Sequence, residues 1–173
     1  MPEFRGCTGG RGARNSRTMK NETYRVVPLA TEIATAARAA ARLQKPDHAT
    51  MTVAEPKTAP CRHCLRWAEP GERVILFPYA SIESGSPYAE SGPIFIHESE
   101  CERYAATAEY PSAFRNGRVV RAYDADRKMI DAVAVNGTRI EAVIETLLRN
   151  PASAFLQVRS ADRGCYTLGI QRA

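Results

Sequence analysis

Four side chains in this sequence have the types and spacing to do chemistry together. Cys61 and Cys64 are separated by two residues, and His97 and Cys101 by three. Two thiolates from one tight knuckle can turn to a single ion, and a His/Cys pair can supply the other two corners of a tetrahedron. The leading site is therefore a zinc ion held by Cys61, Cys64, His97 and Cys101. With all four corners taken by protein, such a site has no open position for substrate and serves folding rather than catalysis. Two other readings compete. In one, these are plain buried thiols beside a hydrogen-bonded His97. In the other, Cys61 and Cys64 cycle as a redox dithiol, with Arg62 and His63 lowering a thiol pKa. Against the redox version, Pro70-Gly71 arrives too soon for the helix that follows a thioredoxin-like catalytic pair.

The elements that must position these residues can be read from the same stretch. Arg73 to Tyr79 is a nearly continuous apolar strand, central in its sheet, and Ile94 to His97 is a second strand. The long loop Ser81–Gly92 joins them, punctuated by Gly and Pro; it either covers a small-molecule cleft or is a plain surface excursion. Glu98 to about Ala108 reads as a short third helix with acids in its first turn, which would put His97 and Cys101 on one face. Amide groups at that helix start would also help hold Cys101 as a thiolate. Knuckle, hairpin and helix in this order resemble the treble-clef arrangement of small zinc modules. The three residues between the last ligands and the 32 residues between Cys64 and His97 depart from it.

The flanks are simpler. Thr23–Leu29 is a first strand, and Thr31 is placed to cap an Ala-rich helix to about Gln44, with Ile33, Ala36, Ala37, Ala40 and Leu43 on its inner face. Thr50–Glu55 is a further strand, and His48 a solvated loop histidine. Arg118–Tyr123 and Met129–Val135 form a hairpin across Asp124–Arg127. Thr138-Arg139-Ile140-Glu141 is a capping box, and Ile140, Val143, Ile144, Leu147 and Leu148 make a helical stripe ended by Pro151. Phe155–Arg159 and Cys165–Gln171 close the chain as a hairpin. The fold class is α+β: one domain over 19–173, mainly antiparallel sheet, with two principal helices and a shorter third.

Composition removes several function classes. Residues 1–18 hold four arginines against one glutamate, whereas 19–173 carry 20 basic and 18 acidic side chains. The body is too nearly neutral to argue for nucleic acid binding. The Gly- and Arg-rich segment 1–18 lacks the apolar core of a secretory signal and reads as a disordered leader, with Met19 a natural start. No apolar run is long enough to span a bilayer. Five cysteines without an export signal point to the cytoplasm, and to metal or redox chemistry rather than disulfides. Alternation sets Cys165 and Thr167 opposite Tyr166, Leu168 and Ile170, leaving Cys165 a packed cysteine, a semi-exposed thiol or a substitute ligand. Local structure accounts for Asp124, Asp126, Glu98, Glu100 and Glu102. There is no nucleophile elbow, no Walker loop and no Gly-x-Gly-x-x-Gly.

Several stretches taken in order resemble a known bacterial family, the domain of unknown function 1203. They are Pro60-Cys61-Arg62-His63-Cys64-Leu65-Arg66, Glu69-Pro70-Gly71-Glu72, Ser86-Pro87-Tyr88, Gly92-Pro93-Ile94-Phe95-Ile96-His97, Arg121-Ala122-Tyr123-Asp124-Ala125 and Arg163-Gly164-Cys165. The similarity extends over about 19–173. It implies a small, soluble, single-domain bacterial protein with no assigned activity, so no catalytic residue is carried over. The expected function is a zinc-stapled binding or interaction domain with an unknown partner. The alternative is a thiol-dependent redox enzyme using Cys61/Cys64 or Cys165.

Overall fold

Short β-branched and aromatic runs, divided by Gly, Pro and Asp turns, favour antiparallel hairpins. A computed structural model describes residues 23–136 and 139–173 and bears this out. The elements are β1 (Tyr24–Val27), α1 (Thr31–Arg42), β2 (Ala49–Thr52), β3 (Arg73–Ile82), β4 (Glu90–His97), β5 (Arg118–Tyr123), β6 (Met129–Val135), α2 (Ile140–Arg149), β7 (Phe155–Ser160) and β8 (Tyr166–Arg172). One sheet has the order β1-β8-β7-β5-β6 and the other β2-β3-β4. All strand pairs are antiparallel, so the class is α+β.

Each sheet carries one helix. The stripe on α2 buries Ile140, Ile144, Leu147 and Leu148 against Val120, Leu156, Val158, Leu168 and Ile170 of the larger sheet. Full burial of side chains this size stabilises by roughly 1.5–3 kcal/mol each. The smaller sheet packs Ile75, Phe77, Ile94 and Ile96 against Leu29, Ala34 and Ala37. Polar contacts tie the sheets together: Gln157 Nε2 donates to the Ser81 carbonyl at 2.8 Å, and Arg159 Nη1 to Glu90 Oε1 at 2.7 Å.

Several expectations change. The third helix over 98–108 is absent: among the described residues the only further helical element is a three-residue 3-10 turn, Ser112–Phe114. Residues 98–111 lack an apolar stripe, and their polar groups bond outward. The Glu98 amide donates to the Arg73 carbonyl, that of Tyr104 to the His63 carbonyl, and that of Val26 to the Thr107 carbonyl. The Arg103 guanidinium reaches the carbonyls of Pro28 and Leu29. A helix would forfeit those bonds.

The inner face of α1 is also rotated. Ala34, Ala37, Arg38 and Ala40 are buried, whereas Ala36 and Leu43 are exposed. Ala30 is the N-cap, and the Thr31 hydroxyl faces His63 Nε2 at 3.1 Å instead of capping. The expected loop 81–92 is shortened at both ends to 83–89, because β3 and β4 continue as a ribbon in which Pro78 faces Pro93 beyond the reach of β2. That placement leaves neither proline a ladder bond to break. The leader 1–18 and Thr138 of the capping box lie outside the described residues.

Ile144 is fully buried and Leu43 is 76% exposed, although both are aliphatic residues on amphipathic helices. Ile144→Ala is expected to lower unfolding free energy by about 2–5 kcal/mol, and Leu43→Ala by no more than about 0.5 kcal/mol, measured by urea denaturation.

Candidate metal centre

The knuckle is a chain reversal built before any ligand is considered. Pro60 bridges Trp67, and the Ala68 amide donates to the Ala59 carbonyl at 2.9 Å. Inside that frame Cys61 N–H donates to Arg66 O at 2.9 Å and Leu65 N–H to Cys61 O at 3.0 Å. So tight a turn drives Leu65 to φ +54°, a left-handed conformation that costs a non-glycine residue about 1–2 kcal/mol. Its side chain is buried in the main core, which offsets that cost. The turn brings the amide of Cys64 to the Cys61 sulfur and that of Arg66 to the Cys64 sulfur. Arg62 N–H then docks the knuckle on β4 through the Phe95 carbonyl at 3.0 Å.

His97 ends β4 two residues further on, and Cys101 follows in the irregular segment. One ligand atom from each of Cys61, Cys64, His97 and Cys101 lies within 4.8 Å of the other three. Cys61 Sγ is 3.9 Å from Cys101 Sγ, and Cys64 Sγ is 3.5 Å from His97 Nδ1. Bond lengths of about 2.3 Å to sulfur and 2.0–2.1 Å to nitrogen give a tetrahedron with S–S edges of about 3.8 Å and S–N edges of about 3.6 Å. The cluster could therefore hold a metal ion. Its His and Cys do not come from one helical face, so the treble-clef expectation fails. An irregular segment, free of helical pitch, accommodates the three-residue spacing between them.

The surroundings shift the protonation of Cys61, Cys64 and His97 in different directions. Hydrogen bonds from the Cys101 and Cys64 thiols, against the opposing effect of burial, pull the Cys61 pKa down. The same sharing, with burial, pushes Cys64 up and keeps its proton. Burial works against protonation of His97, but contacts with Cys101 and Cys61 outweigh it and raise the imidazole to about 9. Cys101 is approached by His63 Nδ1 at 3.3 Å and by Arg38 Nη2 at 3.6 Å. These two side chains replace the helix-start amides expected there.

The other nitrogen of His97 faces a carboxylate. His97 Nε2 is 3.3 Å from Glu72 Oε2 but is not aligned for a hydrogen bond. That oxygen already accepts the Glu69 amide at 2.8 Å and Arg66 Nη1 at 2.9 Å. The Arg66 fork, followed by the Glu69 amide, holds the Glu72 carboxyl down to about 2. A carboxylate behind a histidine fixes its tautomer and strengthens it as a ligand. Neither Glu72 nor Arg38 was singled out by sequence. The legible trace was Arg38 itself, a charge lying within the alanine face of α1.

Other candidates lie elsewhere. Cys165 is not in the cluster, so it is no substitute ligand; it is half-buried, and its thiol faces the Arg163 carbonyl at 3.7 Å. A register shift between Val158 and Arg159 pairs Tyr166 with Arg159, which turns Tyr166 away from Leu168, contrary to simple alternation. Tyr166 instead packs beside Tyr79, with ring centroids 5.2 Å apart. His48 is not simply solvated, because it stacks on Phe77 at 5.5 Å. The described cysteines Cys61, Cys64, Cys101 and Cys165 form no disulfide.

With this geometry in place, the chain can be set beside known families. The family model described as "Protein of unknown function (DUF1203)" matches residues 58–172. The chain belongs to this family. The DUF1203 match contains all four cluster residues and Glu72. It begins later than the stretch from about 19 suggested by the motifs, leaving β1, α1 and β2 outside. No curated protein matches the chain, and no solved structure does.

Exposure ranks the described thiols of this DUF1203 protein. Cys61 is wholly buried, whereas Cys165 lies half-buried between a turn and β8. Iodoacetamide labelling mapped by peptide mass spectrometry should modify Cys165 first and Cys61 only on unfolding. Labelling of Cys61 in the native protein as fast as Cys165 would contradict the packing described.

Proposed function

We propose that this protein is a zinc-stapled binding domain in which Cys61, Cys64, His97 and Cys101 hold one structural zinc. The observation that carries the proposal is the gathering of the four ligand atoms within 4.8 Å of one another, with the Cys61–Cys101 and Cys64–His97 separations close to the edges of a ZnS3N tetrahedron. Bound zinc would supply fixation, joining the knuckle to the end of β4 and to the irregular segment after it. Cys61 and Cys64 would each keep a backbone amide on sulfur. His97 would coordinate through Nδ1 with Glu72 behind Nε2, and Arg38 would lie against the residual negative charge of three thiolates.

Four protein ligands leave no corner for water or substrate, which argues for a folding role. The burial of Cys61 argues the same way against the redox alternative, since an exchanging thiolate must be reached by its partner. A binding role then rests on surfaces away from the cluster.

Metal analysis of protein purified without a metal-binding tag is the direct test. The expected content is about one zinc per chain, lost in both Cys61→Ser and Cys101→Ser. Glu72→Gln should keep the metal but release it to a chelator about 10–100-fold more readily. Metal-free protein whose Cys61 and Cys64 oxidise and reduce reversibly would overturn the proposal in favour of redox chemistry.

A further inference from the structure

A cleft of about 480 Å³ lies where the knuckle, the start of β5 and the β7–β8 turn meet. Its volume is within the range of small-molecule sites, and its lining divides in two. Trp67 and Phe95 form part of an apolar wall, while Lys57, Arg62, Arg118 and Arg163 contribute four cationic side chains against the single acid Asp162.

The inner pair of cations is unusual. Arg62 is 4% exposed and Arg118 7%, yet neither forms an ion pair among the described residues. Arg62 directs Nε to the Tyr166 carbonyl at 2.8 Å and Nη1 to the Pro60 carbonyl at 2.6 Å. Arg118 directs Nε to the Phe114 carbonyl at 3.2 Å and lies over the Phe114 ring at 5.1 Å. Carbonyls and rings hold a guanidinium in place without neutralising it, so both charges remain available to an anion. Asp162 acts on Arg118 only from beyond ion-pair distance. At the rim, Lys57 and Arg163 are exposed, and neither forms an ion pair among the described residues.

We propose that this cleft binds a small phosphate monoester bearing a flat ring, with the phosphate on Arg62 and Arg118 and the ring against Trp67 and Phe95. Four cations against one acid suit a dianion better than a single carboxylate, and aromatic walls suit an unsaturated ring. Arg62 stands inside the knuckle, but the ligand would touch no member of the cysteine cluster. The site therefore stands or falls apart from the zinc.

Trp67 is the sole tryptophan of the chain, so its fluorescence reports on the cleft directly. The probe is phenyl phosphate, titrated into the full chain as purified at low salt, with inorganic phosphate, benzoate and benzyl alcohol run in parallel. The expected result is a saturable change with phenyl phosphate, weakened by salt and about tenfold tighter than with any of the other three. Arg118→Met should weaken it by about tenfold or more. The exposed double variant Lys57→Gln/Arg163→Gln should weaken it by a few-fold without moving the melting temperature, and it decides the matter if Arg118→Met fails to fold. No saturable change up to about 10 mM, benzoate binding as tightly as phenyl phosphate, or unchanged affinity in the double variant would each overturn the proposal.

Discussion

The structure depends on one constraint: three sulfurs and an imidazole meet in a place largely closed to water. Polar groups brought out of water must be compensated, and here the compensation comes from every side. Amides of the knuckle reach Cys61 and Cys64, His63 and Arg38 reach Cys101, and Glu72 stands behind His97. Each contact commits a different part of the chain. Arg38 recruits α1, Glu72 recruits the turn before β3, and Cys101 holds a segment with no regular structure of its own. The strained Leu65 backbone belongs to the same arrangement, since the turn that bends it also aims the amides.

The knuckle consequently has two sides with different chemistry. Cys61 and Cys64 turn to His97 and Cys101, while Arg62 between them turns to the Tyr166 carbonyl and the cleft. Fixing the sulfurs also fixes the backbone that carries the guanidinium. No helix among the described residues is long and apolar enough to cross a membrane.

Much of this was legible in the sequence where local rules decide. The 118–123 and 129–135 strands and the α2 stripe follow from alternation and helical spacing, because those segments pack as their patterns suggest. The four cluster residues were legible from residue type and spacing. Where tertiary contacts compete, local reading failed. Acids after His97 suggested a helix start, but Glu98 pairs with Arg73 and the following amides and carbonyls bond elsewhere. Leu43 looked like core because it is apolar, while Arg38, drawn inward by Cys101 and the His97 carbonyl, turned the helix away from it. The cleft was illegible for a related reason: Arg62 and Arg118 are far apart in sequence, and nothing local marks either as unpaired.

X-ray absorption at the zinc edge of the tag-free protein reads the ligand shell of the Cys61–Cys64–His97–Cys101 cluster itself. Three sulfur scatterers at about 2.3 Å and one nitrogen at about 2.0 Å are expected. A shell of nitrogen and oxygen alone, or no zinc edge in folded protein, would contradict zinc held by these four residues.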